Sequence, residues 1–130
     1  MYTENTAISI PTQSSIERIL VSDIIHFSQH ENGTRIFLTG AKSIESYENL
    51  AFFEKHLAPF NFFKVTKSTM INLYHVRNFQ KRSDKVCLSD STEIEITTKR
   101  KTEIKRMLFN SPLIGLAKKN VSQPFYKIMA

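Results

Sequence analysis

The chain has 130 residues, 41% of them hydrophobic and 23% charged, and a formal net charge of +6. That is one domain's length with enough apolar side chains for a real core, and it excludes disordered or low-complexity architectures. The single cysteine, Cys87, excludes an internal disulfide framework; in Lys85-Val86-Cys87-Leu88 it reads as a small core hydrophobe on a buried strand rather than a redox switch. No basic start leads into an apolar leader, and no stretch is long enough to span a bilayer, so a cytoplasmic protein without a membrane partner is expected. The charge is uneven. Residues 1–60 carry seven acids against four Lys and Arg, a net of −3, whereas residues 61–130 carry fourteen Lys and Arg against five acids, a net of +9. A basic second half predicts a surface for a polyanion.

In chain order, residues 1–13 form a polar leader or an edge strand, with Ile8-Ser9-Ile10 as its only strand-like piece and Pro11 as a stop to pairing. Ile16, Ile19 and Leu20 lead into Val21-Ser22-Asp23-Ile24-Ile25-His26-Phe27, a turn and a strand. Asn32-Gly33 within His30 to Thr34 is a hairpin signal, with Arg35 to Thr39 as the return strand. Gly40 to Lys42 turns again, and Ser43 to Tyr47 is a third short strand. From Asn49 to Leu57 the apolar residues Leu50, Phe53 and Leu57 recur at helical spacing. Ser46 or Glu48 lies near the expected cap, and Pro59 ends the helix.

Phe62 to Val76 is the stretch that organises the chain. It is rich in β-branched residues, lacks Gly and Pro, and alternates Phe63/Val65 with Lys64/Thr66, which predicts a strand with one buried and one wet face. Its basic residues then project from a rigid edge or turn. Asn72 lies inside the apolar run, where a buried amide must find partners, so it is read as a tie between two backbones. Ser83-Asp84 turns, Val86-Cys87-Leu88 is a strand, Asp90-Ser91 turns, and Glu93 to Ile96 alternates as a half-buried strand. Lys99 to Phe109 is a second helix with Ile104, Met107 and Leu108 on one face; residues 110–130 form an unassigned C-terminal extension.

Catalysis finds little support. His26, His30, His56 and His75 have no metal-ligand spacing, and His75 reads as a packing and hydrogen-bonding residue. There is no nucleophile elbow, P-loop or dinucleotide fingerprint, and three glycines leave little for a phosphate cradle. Glu93 and Glu95 share a strand face beside lysines and read as surface. No enzyme activity, cofactor, metal or small-molecule substrate is expected. Duplex DNA asks instead for Lys, Arg, hydroxyls and amides on protruding tips. Three segments supply them: Asn32, Thr34 and Arg35; Lys64, Thr66, Lys67 and Ser68; and Thr98, Lys99, Arg100 and Lys101 after Thr97. Cations at the start of a helix oppose its dipole, which makes a purely structural role for the third segment less natural. Arg35 could equally pair with a glutamate such as Glu31.

Phe62-Phe63-Lys64-Val65-Thr66-Lys67-Ser68, followed by Ile71-Asn72-Leu73 and His75-Val76, resembles the central signature of the LytTR family of bacterial DNA-binding domains. Val21 to Phe27 is similar to that family's opening Asp-Ile strand, and Asp90 to Lys101 to its closing segment, in register over residues 14–109. The resemblance implies a mainly β fold of short antiparallel sheets stacked side by side, with one short mid-chain helix and a short C-terminal helix. It also implies a transcriptional regulator that reads duplex DNA sequence-specifically through basic loops on one face, with Thr34, Arg35, Lys67, Lys99 and Arg100 as the reading positions. Thr66 stands where the family commonly has His, Thr98-Lys99 where it has Ser-Arg, and Asp90-Ser91 where it has Asp-Gly; Lys lacks the bidentate fork of Arg. No receiver domain is visible, so the chain is a standalone regulator or the output half of a longer one. With no coiled coil or broad apolar face, a monomer in solution is expected, two copies meeting only on paired promoter repeats. The alternative is a protein–protein module of the same fold that has lost DNA binding.

Overall fold

The structure, a computed structural model, describes residues 6–110. The chain divides into two compact units between Asn72 and Leu73. In the first unit a two-stranded ribbon pairs β1 (Ala7–Pro11) with β2 (Ile16–Leu20). A five-stranded antiparallel sheet follows, built from β3 (Ile24–His30), β4 (Gly33–Leu38), β5 (Lys42–Ser46), β6 (Phe62–Thr66) and β7 (Thr69–Asn72). Its spatial order is β5-β4-β3-β7-β6. The fully buried run Ile24 to Phe27 takes the centre, as expected of a strand paired on both sides.

One face of that sheet carries Phe27, Ile36 and Met70, opposite one another across the ladders, and is covered by α1 (Leu50–His56). Leu50, Phe53 and Leu57 are each about 1% exposed, as the helical spacing predicts, and the Phe53 ring lies 5.1 Å from that of Phe27. Asn49, not Ser46 or Glu48, is the cap: its Oδ1 accepts from the Phe52 N–H at 3.0 Å. The Leu50 N–H donates to Gln29 Oε1 at 2.6 Å, which fastens the helix start to β3. Ile8, Ile10 and Ile19 of the ribbon join this core, so Ile8 to Pro11 is a paired strand and not a loose leader; residues 1–5 lie outside the described residues.

Asn72 is fully buried, and its Nδ2 donates to the Ile24 carbonyl at 2.8 Å and to that of Val21 at 3.5 Å. The amide thus ties the end of β7 to the 3-10 turn Val21–Asp23 and the start of β3, the structural role expected of it. Phe62 to Asn72 is a hairpin, β6 alternating between half-buried and buried residues, with Lys67-Ser68 as its tip.

The second unit opens with the 3-10 turn Leu73–His75 and has an antiparallel sheet in the order β10-β9-β8, formed by β8 (Val76–Gln80), β9 (Lys85–Leu88) and β10 (Glu93–Glu95). Cys87 is a buried free thiol on β9. His75 Nδ1 lies 2.7 Å from Ser89 Oγ. α2 (Thr98–Asn110) buries Ile104 and Leu108, while Met107 is half-buried. The expected assignment of a C-terminal extension falls, beyond Asn110, outside the described residues. Mainly antiparallel strands with two helices is the fold class expected.

Candidate nucleic-acid interface

Two of the three basic segments meet at one end of the five-stranded sheet. β3 and β4 close through Glu31-Asn32, with His30 facing Gly33, and β6 and β7 close through Lys67-Ser68, with Thr66 facing Thr69. The Gln29 N–H donates to the Ser68 carbonyl at 2.8 Å, so the second tip is fastened to the strand that leads into the first. Thr66 Oγ1 accepts from the Ser68 N–H at 3.2 Å and so shapes this tip from within. Asn32, Lys67 and Ser68 are exposed, and Lys67 makes no ion pair among the described residues.

Gly33 explains why the first tip is so tight. It has φ +146°, and a Cβ there would lie 2.1 Å from the Ser46 carbonyl oxygen. The Asn-Gly signal therefore marks a close approach of β5 to β4 at the turn's exit, one residue later than a simple two-residue Asn-Gly tip would put it. Thr34, next along, is fully buried, and its hydroxyl donates to the Glu48 carbonyl at 2.8 Å. A threonine sealed between strands cannot touch a base or phosphate, so the expectation of Thr34 as a reading residue is corrected: it holds the chain after β5 in place.

Arg35 points out of the opposite face from α1, with its side chain 51% exposed. Its partner is Glu45, directly across the β4–β5 ladder, and not Glu31. The Arg35 Nε donates to Glu45 Oε2, while His30 Nε2 lies 3.1 Å from Glu45 Oε1. The hydrogen bond from Arg35 holds the Glu45 carboxyl below its usual range; slight burial pushes the other way, and the charge of Arg35 and the bond to His30 add to the lowering. A shallow hollow beside this trio is lined by Gln13, His30, Asn32, Glu45, Ser46 and Tyr47. Gln13 comes from the turn between β1 and β2, so the ribbon's tip stands next to the Asn32 turn. Sequence reasoning placed His30 in this turn but missed Gln13, Glu45 and Tyr47 as neighbours of the tip. The ladder arithmetic would have found Glu45 once the turn at Gly40-Ala41 was centred, because Leu38 faces Lys42 and Arg35 then faces Glu45.

Lys64 does not stand at a tip. It lies mid-strand on β6, half-buried, with Nζ 3.7 Å from Glu54 Oε1 of α1, so the expected DNA-facing lysine is turned toward the helix. In the second unit, Thr97 starts α2 by accepting from the Arg100 and Lys101 N–H groups on its carbonyl. Thr98 is the first residue of that helix, and no acid lies in its first turn. Lys101 is tied down: its Nζ lies 3.3 Å from Asp84 Oδ1, and the Asp84 carbonyl accepts the Ile96 N–H. Arg100 Nη1 lies 3.2 Å from Glu103 Oε1, a surface pair one turn along. Lys99 is exposed and has no ion-pair partner among the described residues. The first turn of α2 thus sets three cations against the positive end of the helix dipole, a cost that a bound anion would reverse.

Among the described residues no group of three or more His, Cys, Asp or Glu could hold a metal ion, and no helix is long and apolar enough to cross a membrane. No curated protein matches the chain. Among solved structures it is similar to the LytTr DNA-binding domain of a Bacillus cereus protein described as a methyl-accepting/DNA response regulator. The TM-score is 0.66 at 11% identity, over 80% of this chain and 97% of that one, a likeness of fold. The model of the LytTr DNA-binding domain matches residues 14–109, most of the chain and the span over which the sequence resemblance runs. The chain therefore belongs to the LytTR family of DNA-binding domains.

Proposed function

We propose that this chain is a transcriptional regulator that binds duplex DNA sequence-specifically through Asn32 and Arg35, Lys67 and Ser68, and Lys99 and Arg100. The observation that carries the reading is the placement of cations on the tips of a chain whose family binds DNA: Lys67 on a two-residue hairpin turn and Lys99 in the first turn of α2, both exposed and unpaired among the described residues. A lysine on such a tip suits a phosphate, while Arg35 and Asn32 carry the fork and amide that base edges need. Each copy, a monomer in solution, takes one repeat of a paired site. Lys64, Thr66, Thr34 and Lys101 shape or anchor these tips.

The test is selection of bound duplexes from genomic fragments, followed by titration at several salt concentrations. If about six phosphates are neutralised, log K falls against log[salt] with a slope near −5. A slope between zero and −1, with no fragment enriched, would refute the reading and favour a protein-binding module of the same fold.

A further inference from the structure

We propose that Glu45 is a positioning residue for base reading: it fixes the Arg35 guanidinium so that the free terminal nitrogens meet the edge of a guanine. This rests on the DNA-binding reading above and names the base that one of its contacts takes.

Glu45 and Arg35 are direct partners on neighbouring strands, so their backbones are held in register by the β4–β5 ladder. Glu45 takes the Nε edge of the guanidinium with Oε2. Nε is the guanidinium nitrogen that Glu45 holds; Nη1 and Nη2 donate no hydrogen bond among the described residues, and the side chain is 51% exposed. Two parallel N–H donors are what guanine O6 and N7 accept. His30, at the end of β3, lies against the other carboxylate oxygen at 3.1 Å. The carboxylate is thus gripped from two strands and in turn stops the long arginine from swinging toward a phosphate. Both sit beside the Asn32 tip, on the sheet end that also carries Lys67. A carboxylate at a DNA-facing end repels phosphates, so its presence there needs a reason, and orientation of an arginine supplies one. The lowered carboxyl of Glu45 agrees, since the anion is kept ionised by Arg35 itself.

The sign of one substitution separates this from a mere surface ion pair. Removing an anion near DNA should tighten binding to every duplex if charge alone matters. If Glu45 positions Arg35, Glu45→Ala instead weakens the duplex recovered by the genomic selection by about 10-fold, the order expected for losing a bidentate base contact, while a random duplex of equal length is held as well or better. Glu45→Gln, which keeps one acceptor, recovers part of the loss. In an Arg35→Ala background neither change weakens the selected duplex further. The contact is located by replacing each guanine of that duplex with 7-deazaguanine: one position costs the parent about 10-fold and costs Arg35→Ala nothing. All variants are checked by thermal melting, which should be nearly unchanged because Glu45 is about half exposed.

Equal tightening of selected and random duplexes by Glu45→Ala overturns the positioning role. So does an Arg35→Ala protein that binds the selected duplex like the parent while Lys67→Ala and Lys99→Ala lose affinity, an outcome that leaves the DNA-binding reading intact. If none of the three basic substitutions affects binding, the DNA-binding reading itself falls, and this inference with it.

Discussion

Asn72→Ala tests whether the organising hairpin is held by its buried amide or uses it to touch DNA. Asn72 is fully buried, and its Nδ2 reaches the Ile24 carbonyl at 2.8 Å, a full hydrogen bond, and the Val21 carbonyl at 3.5 Å, a marginal one. Leaving the Ile24 carbonyl without that donor costs about 1–3 kcal/mol. The weaker Val21 contact and the small void left by the amide bring the expected loss to roughly 2–4 kcal/mol. Against a total stability on the order of 5–15 kcal/mol this is a large fraction. At about 4–8 °C per kcal/mol for a domain near 100 residues, melting should fall by roughly 10 °C or more. Asn72→Asp keeps the shape but replaces the donor with oxygen facing two carbonyls, so it should melt at least as low as the alanine variant. Calorimetry or circular dichroism gives the melting, and titration of the folded protein at low temperature with the selected duplex gives the affinity, which should be nearly unchanged. An Asn72→Ala protein that melts like the parent but no longer binds would place the amide in the DNA interface and refute the structural assignment.

The opposite behaviour is expected of Lys99→Ala/Arg100→Ala. Stability should move by less than about 0.5 kcal/mol per site, since Lys99 is exposed and the pair of Arg100 with Glu103 lies at the surface, while affinity falls by roughly 1–3 kcal/mol where either residue holds a base edge. A large melting shift without loss of affinity would contradict this. Gly33→Ala should destabilise by more than the ~1–3 kcal/mol of its backbone conformation alone, because its Cβ would lie 2.1 Å from the Ser46 oxygen and push β5 away; normal melting would show that the strand yields freely. The Glu45 carboxyl, followed by NMR through an acid titration, should ionise below the usual carboxylate range and move back toward it in Arg35→Ala. The sign follows from that depression: the Arg35–Glu45 pair favours the folded state above the ordinary glutamate pKa, and its contribution is lost as pH falls through the lowered one. In sedimentation the parent should remain a monomer, and a concentration-independent dimer would overturn that.

Much of the fold was legible because period and punctuation agreed. Leu50, Phe53 and Leu57 could only make a helical stripe, and Phe63/Val65 against Lys64/Thr66 could only make a strand. The pieces that escaped did so for local reasons. β2 escaped because it has no period-two alternation: apolar Ile16 and Leu20 are exposed on one face with Arg18, while Glu17 shares the other face with Ile19, which packs on the core. β8 escaped because its Arg77, Asn78 and Gln80 read as a polar linker, although Phe79 and Val76 face Val86 and Leu88 across a register shift. The cap at Asn49 was overlooked in favour of its neighbours, yet only Asn49 stands one residue before the helix with an acceptor free to turn back.

The candidate site was legible as composition and not as geometry. Thr34, Lys64 and Lys101 carry the right chemistry on the right segments, but chemistry does not say which way a side chain faces. A one-residue step along β4 separates Thr34, sealed against Glu48, from Arg35, pointing outward; the alternation of a strand makes neighbours opposites. Lys64 and Lys101 differ from Lys67 and Lys99 for a related reason: each has an acid brought beside it by a different element, Glu54 from α1 and Asp84 from the turn before β9. Asp84 and Ser91 show the same dependence in the backbone. Both take positive φ, 53° and 73°, where glycine would be at ease, and the two turns they make set the β8-β9-β10 strands on which the start of α2 depends. Asp84 also holds Ile96 through its carbonyl and Lys101 through its carboxylate, so one residue in a sparsely populated conformation fixes the chain on both sides of Thr97. Asp84→Gly would ease that backbone but remove the grip on Lys101. A looser α2 start that keeps every cation and still loses affinity would therefore separate the position of Lys99 and Arg100 from their charge.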